Sequence, residues 1–97
     1  MERKNLKYMP YARAYVVEQY GCIKLYSYTT NVLTINQDGW LIVYGLYSQT
    51  TRRHISAFMK EYTKYDYKLA KRIYENEQRF NIYSGEYAPL YCESEDL

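Results

Sequence analysis

The sequence predicts an α+β fold: a small antiparallel sheet of three or so strands, packed by one or two C-terminal helices and followed by an irregular acidic tail. Two features point there. The pair Asp38-Gly39 sits between runs rich in β-branched and aromatic residues, and after Tyr47 the apolar spacing changes from alternation to steps of three and four. At 97 residues the chain has room for one domain with one modest core. That domain is expected to span residues 1–97, with its core over 12–79 and a tail over 80–97.

The hairpin is the sharpest local expectation. Asp-Gly favours a two-residue type I′ turn, because Gly accepts positive φ freely and Asp tolerates it better than most residues. Such a turn sets Gln37 against Trp40, Ile35 against Ile42 and Leu33 against Tyr44. Leu33, Ile35, Trp40, Ile42 and Tyr44 then share the core face. Upstream, Ala14 to Gln19 and Cys22 to Tyr28 read as two extended runs around Tyr20-Gly21. Pro10 and Gly21 would also bracket a short helix, and the sequence leaves both options open.

Beyond Tyr47, Thr50 or Thr51 can cap a helix in which Ile55, Met59 and Tyr62 form a stripe with Phe58 beside it. Thr63-Lys64-Tyr65-Asp66 then looks like a capping box with Asp in place of Glu, ahead of Tyr65, Leu69 and Ile73. Two helices or one bent helix satisfy this pattern. After Gln78, Asn81, Ser84, Gly85 and Pro89 interrupt any periodicity, leaving a loop with a short strand at Phe80 to Tyr83.

Composition bears on function. Fifteen residues are Tyr, against two Phe and one Trp. An apolar ring with a polar tip suits half-buried surfaces and interfaces better than a dry core. An AT-rich coding sequence would also yield much Tyr, Asn, Lys and Ile. Residues 1–74 hold twelve Lys/Arg and five Asp/Glu, whereas residues 75–97 hold one and six. A basic body thus carries an acidic end, which either attracts and masks charged partners or serves solubility.

Little points to catalysis, metal or cofactor. His54 is the only histidine, no nucleophile-elbow, zincin or phosphate-loop motif occurs, and Cys22 and Cys92 lack metal-ligand spacing. The expectation is a non-enzyme with no cofactor and no metal site, its two thiols unpaired in a reducing cytoplasm, with one long-range disulfide between Cys22 and Cys92 as the alternative. The longest apolar stretch, Trp40 to Leu46, is far too short for a membrane span.

The expected partner-binding residues fall into three groups. Lys60, Lys64, Lys68 and Lys71 or Arg72 recur at near-helical spacing and, if the helices are continuous, make a basic stripe flanked by Tyr67 and Tyr74. A solvated helix face explains the same spacing. Arg52 and Arg53, with Tyr28 and Tyr47, offer anchors of the kind that dominate interface hot spots. Near a helix start, however, His54 can instead cover the hairpin while the Thr hydroxyls cap and the Arg side chains face solvent. Glu93, Glu95 and Asp96 in the tail could imitate phosphates.

The runs Ser27-Tyr28-Thr29-Thr30-Asn31-Val32 and Tyr47-Ser48-Gln49-Thr50-Thr51-Arg52-Arg53-His54-Ile55, ending at Phe58, carry the patterns S-Y-x-T-x-V and Y-S-x-T-T-x-x-H-I-x-x-F. Over roughly residues 24–62 the chain resembles a family of small uncharacterised proteins encoded by bacteriophages and mobile elements. The resemblance implies a short hairpin-plus-helix protein without an assigned activity. It also implies, by analogy, a non-catalytic inhibitor of a host defence system, most plausibly an anti-CRISPR protein bound to a nuclease or its guide complex in the host cytoplasm. The alternatives are a small DNA- or RNA-binding protein using the helical stripe, and a virion assembly protein that would form homo-oligomers.

Overall fold

A computed structural model describes residues 3–90 of the chain. Seven strands form one antiparallel sheet in sequence order: β1 (Arg3–Asn5), β2 (Ala14–Gln19), β3 (Cys22–Ser27), β4 (Thr30–Ile35), β5 (Trp40–Val43), β6 (Gln78–Asn81) and β7 (Tyr87–Pro89). Helices α1 (Gln49–Tyr62) and α2 (Tyr67–Glu75) are inserted between β5 and β6. The α+β class and the antiparallel sheet match expectation, but the sheet has seven strands rather than about three. The three-residue strands β1 and β7 carry no apolar alternation, so periodicity could not reveal them, while β6 overlaps the short strand expected at Phe80 to Tyr83 and begins two residues earlier. Part of the expected tail therefore belongs to the sheet, Phe80 and Asn81 in β6 and Tyr87–Pro89 in β7.

The extended reading of residues 14–28 holds, and the type I′ geometry expected at Asp38-Gly39 occurs here instead. Gln19 pairs with Cys22, and the two linking residues, Tyr20 and Gly21, both have positive φ (52° and 78°). The Asp38-Gly39 turn is one residue longer. Asn36 N–H donates to the Trp40 carbonyl and Gly39 N–H to the Asn36 carbonyl, with Gly39 at φ 90° and Asp38 outside the left-handed region. The Asn36 carboxamide oxygen accepts from the N–H groups of Asp38 and Trp40, which is what draws the additional residue into the loop.

That residue corrects the register. Ile35 pairs with Leu41 and Leu33 with Val43, so the core face holds Leu33, Ile35, Leu41 and Val43, all buried. Trp40 and Ile42 point to the opposite face, and Tyr44 is about half exposed.

Helix α1 begins two or three residues earlier than expected. Ser48, not Thr50 or Thr51, is its cap, with its hydroxyl accepting from Thr51 N–H at 3.2 Å. Ile55, Phe58 and Met59 are fully buried, and Tyr62 packs at the margin. The chain then breaks into two helices rather than bending. Thr63 is the C-cap of α1, its hydroxyl donating to the Met59 carbonyl at 2.7 Å, and Asp66 is the N-cap of α2, accepting from Lys68 N–H at 3.0 Å. The expected box therefore splits into the end of one helix and the start of the next. Helix α1 lies on β3 and β4 while α2 lies on β5 and β6, so both cover a single face of the sheet.

Candidate nucleic-acid interface

The opposite face carries no helix. Because directly paired residues of an antiparallel sheet share a face, the registers place Arg3, Val17, Lys24, Thr34 and Ile42 in one cross-sheet row. A second row runs Asn5, Tyr15, Tyr26, Asn31. Trp40 stands beside Asn81 toward the other end, with Arg79 adjacent. Three cations thus occupy this open face. Among the described residues, no Asp or Glu stands at any of its strand positions: Glu18 points to the helix side, where it pairs with Lys4 Nζ at 2.9 Å. Asp38 lies in the turn at one end.

The aromatic side chains are arranged as stacks. Tyr15 and Tyr26 lie face to face, with ring centroids 5.1 Å apart and planes 5° from parallel. The Arg3 guanidinium sits 4.3 Å from the Tyr15 centroid and the Arg79 guanidinium 4.6 Å from that of Trp40. Arg79 Nε is buried without a hydrogen-bond partner among the described residues. Two shallow depressions converge on Arg3 and Tyr15. One, of about 330 Å³, adds Val17 and Tyr26; the other, of about 500 Å³, runs past the sheet end to Arg13 and Tyr28.

The two sequence patterns meet in a buried polar cluster on the helix side. Ser27 Oγ lies 2.8 Å from His54 Nδ1 and 3.2 Å from Thr51 Oγ1, which in turn lies 3.3 Å from Ser48 Oγ. His54 is 1% exposed, and burial holds its imidazole below the usual histidine value. The strand-borne Ser and the helix-borne Thr and His therefore tie α1 to β3, which is the structural reading of those positions. Arg52 and Arg53 face solvent.

The expected basic stripe is not carried by one continuous helix, because α1 ends at Tyr62 and α2 begins at Tyr67. Lys60 Nζ lies 4.3 Å from the Tyr8 ring centroid, Lys64 Nζ 5.7 Å from that of Tyr65, and the Arg72 guanidinium 4.7 Å from that of Tyr87. Lys68 and Lys71 are exposed on α2, whereas Tyr67 packs against the core with its hydroxyl buried. Tyr74 lines a cleft of about 440 Å³ with Tyr44, Glu75 and Glu77, whose carboxylates disfavour phosphate. Tyr47 folds over Gly45, where a Cβ would come within 2.4 Å of its ring. Of the expected residues, only Tyr28 borders the open face. Glu93, Glu95, Asp96 and Cys92 lie outside the described residues, and Cys22 is half-buried. Sequence reasoning missed Arg3, Tyr15, Lys24, Tyr26, Trp40 and Arg79 as a group, although alternation in β2 and β3 already put Tyr15 on the face of Val17 and Tyr26 on that of Lys24.

Fold and face together define a class: a meandering seven-stranded antiparallel sheet with one face covered by two helices and the other left as an aromatic, cationic platform. Residues 2–82 match the model of a family of unknown function, DUF8033, and the chain belongs to that family. No curated protein and no solved structure matches it. Among the described residues, no helix is long and apolar enough to cross a membrane.

Proposed function

We propose that the protein is a non-catalytic nucleic-acid-binding protein whose contact surface is the open face of the sheet. The observation that carries this reading is the coincidence of Arg3, Lys24 and Arg79 with an absence of carboxylates at the described strand positions of that face. Phosphates are drawn to such a surface, and each contact releases condensed counterions. Burial of His54 against Ser27 supports the non-catalytic part, since that ring is engaged inside the protein. The reading takes up the nucleic-acid-binding alternative rather than the leading expectation of an inhibitor, and moves its surface from the helices to the sheet.

The test is a titration of fluorescently labelled oligonucleotide at several salt concentrations. Three phosphate contacts on a single strand give a slope of log affinity against log salt of about −2, and Lys24→Glu lowers its magnitude by about 0.7 or more. Affinity that ignores both salt and Lys24 contradicts the reading.

A second reading, an inhibitor from a bacteriophage or mobile element that binds a host defence nuclease, has a different support. Tyr11, Tyr20, Tyr47 and Tyr83 are 98, 86, 64 and 77% exposed, and exposed tyrosines are frequent anchors in protein interfaces. Salt-resistant recovery of one host protein, lost on changing these tyrosines, would favour it.

A further inference from the structure

We infer that the ligand of the open face is single-stranded, held by stacking of its bases on Tyr26 and Trp40 with Lys24 meeting the phosphates between them. This rests on the nucleic-acid reading above and assigns its substrate class. Each ring system has one face covered by a neighbouring side chain, and both rings are only partly buried. Tyr15 covers one face of Tyr26, and since the rings stack across neighbouring strands, the other face looks along the row toward Asn31 on β4. Trp40 is covered on one side by the Arg79 guanidinium. Each ring is therefore backed by a cation–aromatic stack, Arg3–Tyr15–Tyr26 in one case and Arg79–Trp40 in the other. Such backing fixes the ring before the ligand arrives, so less side-chain entropy is lost on binding.

The spacing fits a short single strand. Tyr26 and Trp40 are two strands apart across the sheet and about four residues apart along it, a separation of roughly 16 Å from standard strand dimensions. Lys24 lies on the same face two residues from Tyr26, in the interval between the platforms. Single-strand-binding sheets of this size hold about 4–16 nucleotides by this combination of stacking and backbone contact. A duplex keeps its bases stacked on one another and offers the rings no free base face. The charge of the face selects against an acidic protein surface only weakly, but stacking geometry distinguishes bases from carboxylates.

Trp40 is the only tryptophan in the chain, so its emission reports directly on the site. The experiment titrates the whole protein with a mixed-sequence single-stranded DNA of about ten nucleotides and with the same sequence as duplex. Expected results are quenching of Trp40 at saturation and at least about tenfold tighter binding of the single strand. Tyr26→Ala is expected to weaken binding about tenfold while Tyr26→Phe retains it, the phenylalanine variant guarding against a folding defect. Equal affinity for both forms without quenching overturns the stacking inference and leaves the nucleic-acid reading standing. No binding of either form overturns both. Emission that changes with protein concentration rather than with oligonucleotide overturns the inference in favour of self-association through this face.

Discussion

At the scale of single residues, the side chains that hold the fold and those that line the open face of the sheet are different sets. His54 belongs to the first. Its ring is buried with Ser27 and Thr51, so in urea unfolding Ser27→Ala is expected to cost about 1–3 kcal/mol by leaving the buried His54 Nδ1 without a partner, and His54→Ala about 2–5 kcal/mol by emptying the ring's place in the interior. Burial lowers the His54 pKa, so the unfolded chain binds the proton more readily than the folded one. Stability from this group is thus complete above the ordinary histidine value of about 6.5 and falls as pH drops below it. The expected result is an unfolding midpoint that declines below that pH in the native protein and declines less in His54→Ala. Tyr62 gives a second titration. Burial first, then the nearby Glu61 and Glu18 charges and a hydrogen bond from the phenol to Glu61, push its pKa up to about 12. Its folded-state preference for the neutral phenol is present below the ordinary tyrosine value of about 10 and is lost as pH rises through 12. A spectrophotometric titration should resolve a late-ionising tyrosine that disappears in Tyr62→Phe.

At the scale of elements, turn chemistry decided where the sequence could be read and where it could not. Helix α1 was legible because Ile55, Phe58 and Met59 recur with its period, and β2 and β3 because Val, Ile and Tyr flank Tyr20-Gly21. The β4–β5 register was not, since a single Asn36 side chain accepting two N–H groups outweighs the local preference of Asp-Gly for a shorter turn. One residue of slip is enough to exchange Trp40 and Ile42 for Leu41 and Val43 in the core, and it is this slip that delivers Trp40 to the open face. The same turn is fastened to the end of the neighbouring strand β6 and the loop that follows it. Asn81 Nδ2 donates to the Asp38 carbonyl, Ile82 N–H donates to the Gly39 carbonyl, and the Tyr83 ring lies where a Gly39 Cβ would stand, 2.3 Å away. Gly39→Ala is therefore expected to lose more than the ~1–2 kcal/mol of its left-handed backbone alone, whereas Gly85→Ala, also at positive φ but in open space, loses only that amount. Thermal unfolding of the two variants side by side measures the difference. The edge strands β1 and β7 were silent in the sequence because three-residue segments acquire their conformation from the neighbour they pair with, whereas β6 was foreshadowed by the short strand expected at Phe80 to Tyr83.

At the scale of the molecule, a chain of this length builds a sheet wide enough to have two unlike faces. One is buried under α1 and α2 through Leu25, Leu33, Leu41, Ile55, Phe58 and Ile73. The other carries cations and the half-buried rings of Tyr15, Tyr26 and Trp40, while Tyr62, Tyr65 and Tyr67 pack at the margin of the core. The candidate surface was only partly legible beforehand, since it is assembled from β1, β2, β3, β5 and β6 and exists only once the register is known. The helices also carry exposed Arg52, Arg53, Lys68 and Lys71, so the location of binding separates the two surfaces more sharply than affinity does. The most direct measurement is amide and side-chain NMR of the labelled protein during titration with a short single-stranded oligonucleotide. The account predicts that the largest shifts fall on Tyr15, Lys24, Tyr26, Trp40 and Arg79. Shifts confined to α1 and α2 would contradict it.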